Sequence, residues 1–165
     1  MRITAPAGRA AFALLAGLML TAATAATAGA APPRAESVAS YTVHRASAPT
    51  TAERDAPRTP AAADSCPVTR GAFTGFANCG TLILDIERAS GIRETFVIGT
   101  NLQTYHIWQR FPGDSTWSGW KSLGGAAIGG VLLWDVTPTI YVRGTDFNLW
   151  CNRWSPAGWS GWFIC

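Results

Sequence analysis

Trp117-Ser118-Gly119-Trp120 returns 42 residues later as Trp159-Ser160-Gly161-Trp162. A tetrapeptide with two tryptophans does not recur by chance, and its surroundings recur with it. Upstream, residues 96–101 (FVIGTN) match residues 141–146 (YVRGTD), and Tyr105…Trp108 matches Trp150…Trp154. Further back, residues 80–86 (GTLILDI) match residues 130–136 (GVLLWDV). The offset thus falls from 50 to 45 to 42 residues, within the range where a repeat means a solenoid or a propeller blade. The chain carries two copies, at about 80–125 and 130–165.

Within each copy, runs rich in Leu, Ile, Val, Thr and aromatics alternate with Gly, Pro, Asn and Asp punctuation, which is the code of short strands and turns. The first copy predicts strands at 81–87, 95–100, 104–110 and 117–123; the second predicts them at 131–136, 139–145, 148–154 and 159–165. The expected fold class is all-β: two four-stranded antiparallel propeller-type blades, forming part of an oligomeric or incomplete β-propeller. Two blades leave open edges, because propellers close with at least four. Either several chains complete a ring or disulfides hold a shortened form.

The remaining sequence is of another kind. Residues 1–30 combine Arg2 and Arg9 with the apolar run 10–21 (AAFALLAGLMLT) and A-x-A sites at 26–28 and 28–30, the pattern of a secretory signal peptide. The apolar run is too short to span a membrane, so the mature chain is expected to be exported and not membrane-embedded. Residues 31–65, rich in Ala, Pro, Thr and Arg, read as a disordered linker or propeptide. The domain is expected at 66–165, with an irregular lead-in as far as Gly80. Beyond Cys66, Arg70, Arg88, Arg93, Arg110, Lys121, Arg143 and Arg153 nearly balance Asp85, Glu87, Glu94, Asp114, Asp135 and Asp146. The formal net charge of +3 therefore conceals a near-neutral domain, with no basic stripe for nucleic acid.

Cys66, Cys79, Cys151 and Cys165 form an even set in an exported chain, which favours disulfides. Zinc is the rival, but there is no CxxC, and the histidines are His44 and His106. A hairpin centred on Gly158 that places Trp154 opposite Trp162 also places Cys151 opposite Cys165. The expected pairs are Cys66 with Cys79 and Cys151 with Cys165.

The segments GTNLQTYHIWQ (99–109), WSGWKSLGG (117–125) and GTDFNLW (144–150) resemble the blades of the PLL-like β-propeller lectins. The similarity covers 80–165, about half of the chain. The second copy departs from it with one extra residue between Trp150 and Trp154 and with Cys151 in the place of His106. The resemblance implies inter-blade pockets for fucose or related sugars. All eight tryptophans fall between Trp108 and Trp162; packing between twisted sheets accounts for most such rings, while others would stack on sugar faces. The candidate sugar-binding residues are Trp120 and Trp162, with Asn101, Asp146 and Arg143. The expected partners are glycans or glycoconjugates and further copies of the chain.

Signals for catalysis are poor. Asp85 and Asp135 match between copies, which points to structural turn bonds rather than a glycosidase pair. No Ser or Cys lies in a nucleophile motif, so no enzyme activity and no cofactor are expected. The leading expectation is a secreted carbohydrate-binding protein that stacks fucose-like or methylated sugars on Trp. The alternative is a secreted non-lectin module for protein interaction or cell-wall association.

Overall fold

The computed structural model describes residues 36–47 and 65–165. The expected signal peptide at 1–30, and the expected linker at 31–35 and 48–64, lie outside the described residues. The described residues form strands and no helix: β1 (Val38–Arg45), β2 (Ser65–Arg70), β3 (Phe73–Asn78), β4 (Leu82–Arg88), β5 (Arg93–Ile98), β6 (Thr104–Trp108), β7 (Lys121–Gly124), β8 (Ala127–Asp135), β9 (Thr139–Gly144), β10 (Leu149–Ser155), β11 (Gly158–Trp159) and β12 (Phe163–Ile164). The main sheet runs β11-β10-β9-β8-β4-β5-β6-β7, with β1 added to β4 and β12 to β10, and it curls into a nearly closed, barrel-like form. The hairpin β2–β3 is a separate small sheet.

Each repeat supplies one antiparallel meander, β4 to β7 and β8 to β11, so the expected strand-rich code is realised. The two meet at a single parallel pair, Leu82 with Gly130. A Cβ on Gly130 would lie 2.3 Å from the Leu82 amide nitrogen, and its φ is +119°. Only glycine allows this approach without strain.

Two cores follow from strand alternation. Leu84, Ile86, Phe96 and Ile98 from the first meander pack with Val131, Ile140 and Val142 from the second. Ile83 and Val97, on the opposite face of β4 and β5, pack under Cys66, Val68 and Ala77 of the hairpin. Strands buried on both faces need near-continuous apolar runs, which LILDI and TFVI provide.

Three expectations need correction. First, the linker is not wholly without structure: β1 pairs with β4 from Val38 opposite Arg88 to Arg45 opposite Leu82. Its side chains are exposed except Val38, so backbone pairing on an open edge holds it rather than apolar burial. The Val38 amide also donates to the Val136 carbonyl at 2.7 Å, and the Ala46 amide donates to the Thr81 carbonyl at 2.9 Å. Second, residues 65–78 form a regular hairpin, in which alternate side chains face the second core. Third, Trp117 to Trp120 precede the strand instead of opening it, since β7 begins at Lys121.

Both disulfides form as expected, Cys66–Cys79 and Cys151–Cys165, with Cα separations of 5.0 and 5.1 Å. The register behind the second differs from the expected one. Trp154 faces Trp159, and Cys151 faces Phe163. Cys66 likewise faces Ala77. In each pair the second cysteine lies two residues past its partner's opposite number and just beyond the strand end. Such pairs are compatible with an extracellular, oxidising environment.

Candidate functional site

The repeat builds the same cleft twice. In the first copy, β5 passes into a turn in which the Gly99 amide donates to the Gln103 carbonyl at 2.8 Å and the Leu102 amide donates to the Gly99 carbonyl at 2.9 Å. In the second, the Gly144 amide donates to the Asn148 carbonyl at 2.9 Å and the Phe147 amide donates to the Gly144 carbonyl at 3.0 Å. Leu102 and Phe147 both take φ of 65°, and they are the only non-glycine residues with positive φ among the described residues. A left-handed conformation at a bulky side chain costs about 1 kcal/mol, so the surrounding bonds must fix this turn twice over.

Each turn carries one short polar side chain that ties it to an aromatic. Asn101 accepts from the Gln103 amide at 3.2 Å, and its own amide donates to the Tyr105 hydroxyl at 3.0 Å. Asp146 accepts from the Asn148 amide at 3.1 Å and from the Trp150 indole N–H at 3.1 Å. The exchange is chemically matched. An indole N–H can only donate, so it requires the carboxylate, whereas a phenol hydroxyl can accept from an amide. Donation by the Asn148 side-chain amide, 3.0 Å from Asp146 Oδ2, and then by Trp150, holds the Asp146 carboxyl below the usual carboxylate range.

Glycines let the rings lie flat. A Cβ on Gly99 would sit 2.8 Å from the Tyr105 ring, and one on Gly144 would sit 2.8 Å from the Trp150 ring. The opposite wall is the second tryptophan of each WSGW: Trp120 lies over Gly75 of the hairpin, and Trp162 lies over Gly125. The result is a cleft of about 300 Å³ bounded by Gly75, Val97, Asn101, Tyr105 and Trp120, and one of about 260 Å³ bounded by Gly125, Val142, Asp146, Trp150 and Trp162. The Trp162 indole donates to the Leu123 carbonyl at 2.8 Å, whereas the buried Trp120 indole nitrogen has no protein partner among the described residues.

Four of the five residues singled out in the sequence therefore fall into two sites. Trp120 shares one with Asn101, and Trp162 shares the other with Asp146. Arg143 belongs to neither lining. It is exposed on β9, and its guanidinium donates to the Phe147 carbonyl at 3.2 Å, bracing the turn from outside. Tyr105, Trp150, Gly75 and Gly125 were not singled out. The first two hold corresponding positions in the repeat, a signal that was available; Gly75 lies outside both copies, so nothing in the repeat marks it.

Asp85 does not bond turn amides. It accepts from Arg70 at 2.8 Å and from the Thr95 hydroxyl at 2.5 Å, while Asp135 accepts from the Thr137 hydroxyl. Among the described residues, no group of three or more His, Cys, Asp or Glu side chains is placed to hold a metal ion, and no helix is long and apolar enough to cross a membrane. No protein-family model matches the chain, and no curated protein is significantly similar to it.

Proposed function

We propose that the chain is a secreted, non-catalytic carbohydrate-binding protein that takes one sugar in each cleft. The observation that carries this is the duplication of a ring, a polar turn side chain and a second aromatic around a sugar-sized space in both repeats. The C–H face of a fucose-like or methylated sugar would lie on Trp120 or Trp162, and the free lone pairs of Asn101 or Asp146 would accept from its hydroxyls. Each polar contact replaces one made with water, so the net gain is about 1 kcal/mol per bond. Affinity per cleft should fall between about micromolar and millimolar.

Titration with fucose and O-methylated sugars, followed by tryptophan fluorescence, tests the proposal. A saturable change is expected that loses amplitude in Trp120→Ala and again in the double variant with Trp162→Ala. No response to any sugar in the folded protein would transfer the proposal to the second reading, a non-lectin interaction module. One observation favours that reading: Trp134, 53% exposed, packs edge-on to Tyr141 on the outer face of the second repeat.

That same face supports assembly into a homo-oligomer. Phe76, beside the first cleft, is exposed on the hairpin at the other end of the layered stack. Apolar surfaces at opposite ends suit a head-to-tail contact. Three or four chains would then give about six or eight blades.

A further inference from the structure

A third cleft, of about 360 Å³, opens where β5 and β6 meet the end of β10, away from both clefts described above. One wall is ionic. Glu94, 1% exposed, accepts from the Arg88 Nε–H at 3.2 Å and from its Nη2, and it lies 2.5 Å from His106 Nδ1. Glu36 stands 3.9 Å from the other side of the Arg88 guanidinium. The remaining walls are Trp108, Trp154 and Trp159.

The fold does not require this ionic wall. His106 faces Phe96 as Cys151 faces Tyr141, so the second repeat builds the same strand pairs with Cys151 in the place of His106 and Thr139 in the place of Glu94. A buried charge that the sister repeat omits calls for another explanation, because burial of an ion is costly.

The chemistry of the cleft is that of a cation site. Two carboxylates face one guanidinium, which leaves an excess of negative charge when the His106 ring is neutral. The Arg88 guanidinium already lies over the Trp154 ring, 4.8 Å from its centroid, so these indole faces accept cations. A carboxylate only accepts, so His106 Nδ1–H donates to Glu94, and in the neutral ring Nε2 is then an acceptor to which no described residue donates. His106 is 6% exposed and lines the cleft. We infer that this cleft binds a small organic cation with a methylated ammonium group and a neighbouring hydroxyl or N–H that donates to His106. Aromatic walls suit such a group better than a metal ion, because it sheds its water easily.

Choline is the probe, and 3,3-dimethyl-1-butanol, its uncharged analogue of like shape, is the control. With the full-length chain at constant ionic strength, tryptophan fluorescence should respond saturably to choline and at least about fivefold more weakly to the alcohol. The Ser90 amide donates to Glu36 Oε1 at 2.9 Å; Glu36→Gln keeps that acceptor but removes a charge, and it should weaken choline alone by severalfold. Trp108→Leu should weaken both compounds. Trp120→Ala and Trp162→Ala should leave the choline response intact, so this test stands apart from sugar binding. Equal affinity for the two compounds, no choline response in the folded protein, unchanged choline affinity in Glu36→Gln, or its loss in the twin-cleft variants would overturn the inference.

Discussion

Gly130 carries the join between the repeats, and the neighbouring Gly129 provides its control. Both have positive φ, but a Cβ on Gly129 meets nothing within 4 Å, whereas one on Gly130 would overlap the Leu82 backbone. Gly129→Ala should cost about 1 kcal/mol, from conformation alone. Gly130→Ala should cost several kcal/mol, because it must also part the two meanders; urea midpoints of the two variants check this. Asp146 offers a test in pH. Its folded-state pKa is lowered, first by Asn148 and then by Trp150, so its contribution is present above the unfolded value of about 3.8 and is lost as pH falls through the folded value. Wild type should therefore exceed Asp146→Asn in stability at neutral pH, and the gap should close only below the ordinary carboxylate range. Sugar bound beside Asp146 should likewise persist at pH 4.

Among the elements, β1 separates what composition reveals from what pairing decides. Its sequence, VASYTVHR, is rich in β-formers, yet it lies in an Ala- and Pro-rich stretch without an apolar stripe. It has no stripe because it buries almost nothing; the free edge of β4 supplies its partner. Val38→Ala should thus cost about 1–3 kcal/mol, since Val38 reaches the core, while Tyr41→Ala should cost almost nothing. Thermal melts that rank the two in the opposite order would show side-chain rather than backbone attachment. The meander strands were legible for the converse reason: LILDI and TFVI are buried on both faces and announce it. The pair Cys151–Cys165 was expected from a hairpin register that the structure does not show: Trp154 faces Trp159 and Cys151 faces Phe163, and the disulfide closes from beyond the strand end. The clefts were legible in part. The WSGW repeat marked their tryptophans, whereas Gly75 belongs to a hairpin that has no counterpart in the repeat.

At the scale of the molecule, a layered order is visible. The hairpin covers one face of the first meander, the second meander covers the other, and the outer face of the second meander presents Trp134, Tyr141 and Phe163. Light scattering at micromolar concentration is expected to give a trimer or tetramer, and Trp134→Lys is expected to shift it to monomer. A wild-type monomer would mean that these end faces do not recognise each other. The twin clefts carry a consequence that holds in either case. If each cleft takes a sugar as proposed, a chain with two of them would be bivalent before any assembly, each cleft engaging a different glycan branch. Such a chain would then bridge two glycoconjugates, or two cells, as a single subunit. Agglutination by this protein would therefore report the internal duplication of its sequence, not the number of chains in the particle.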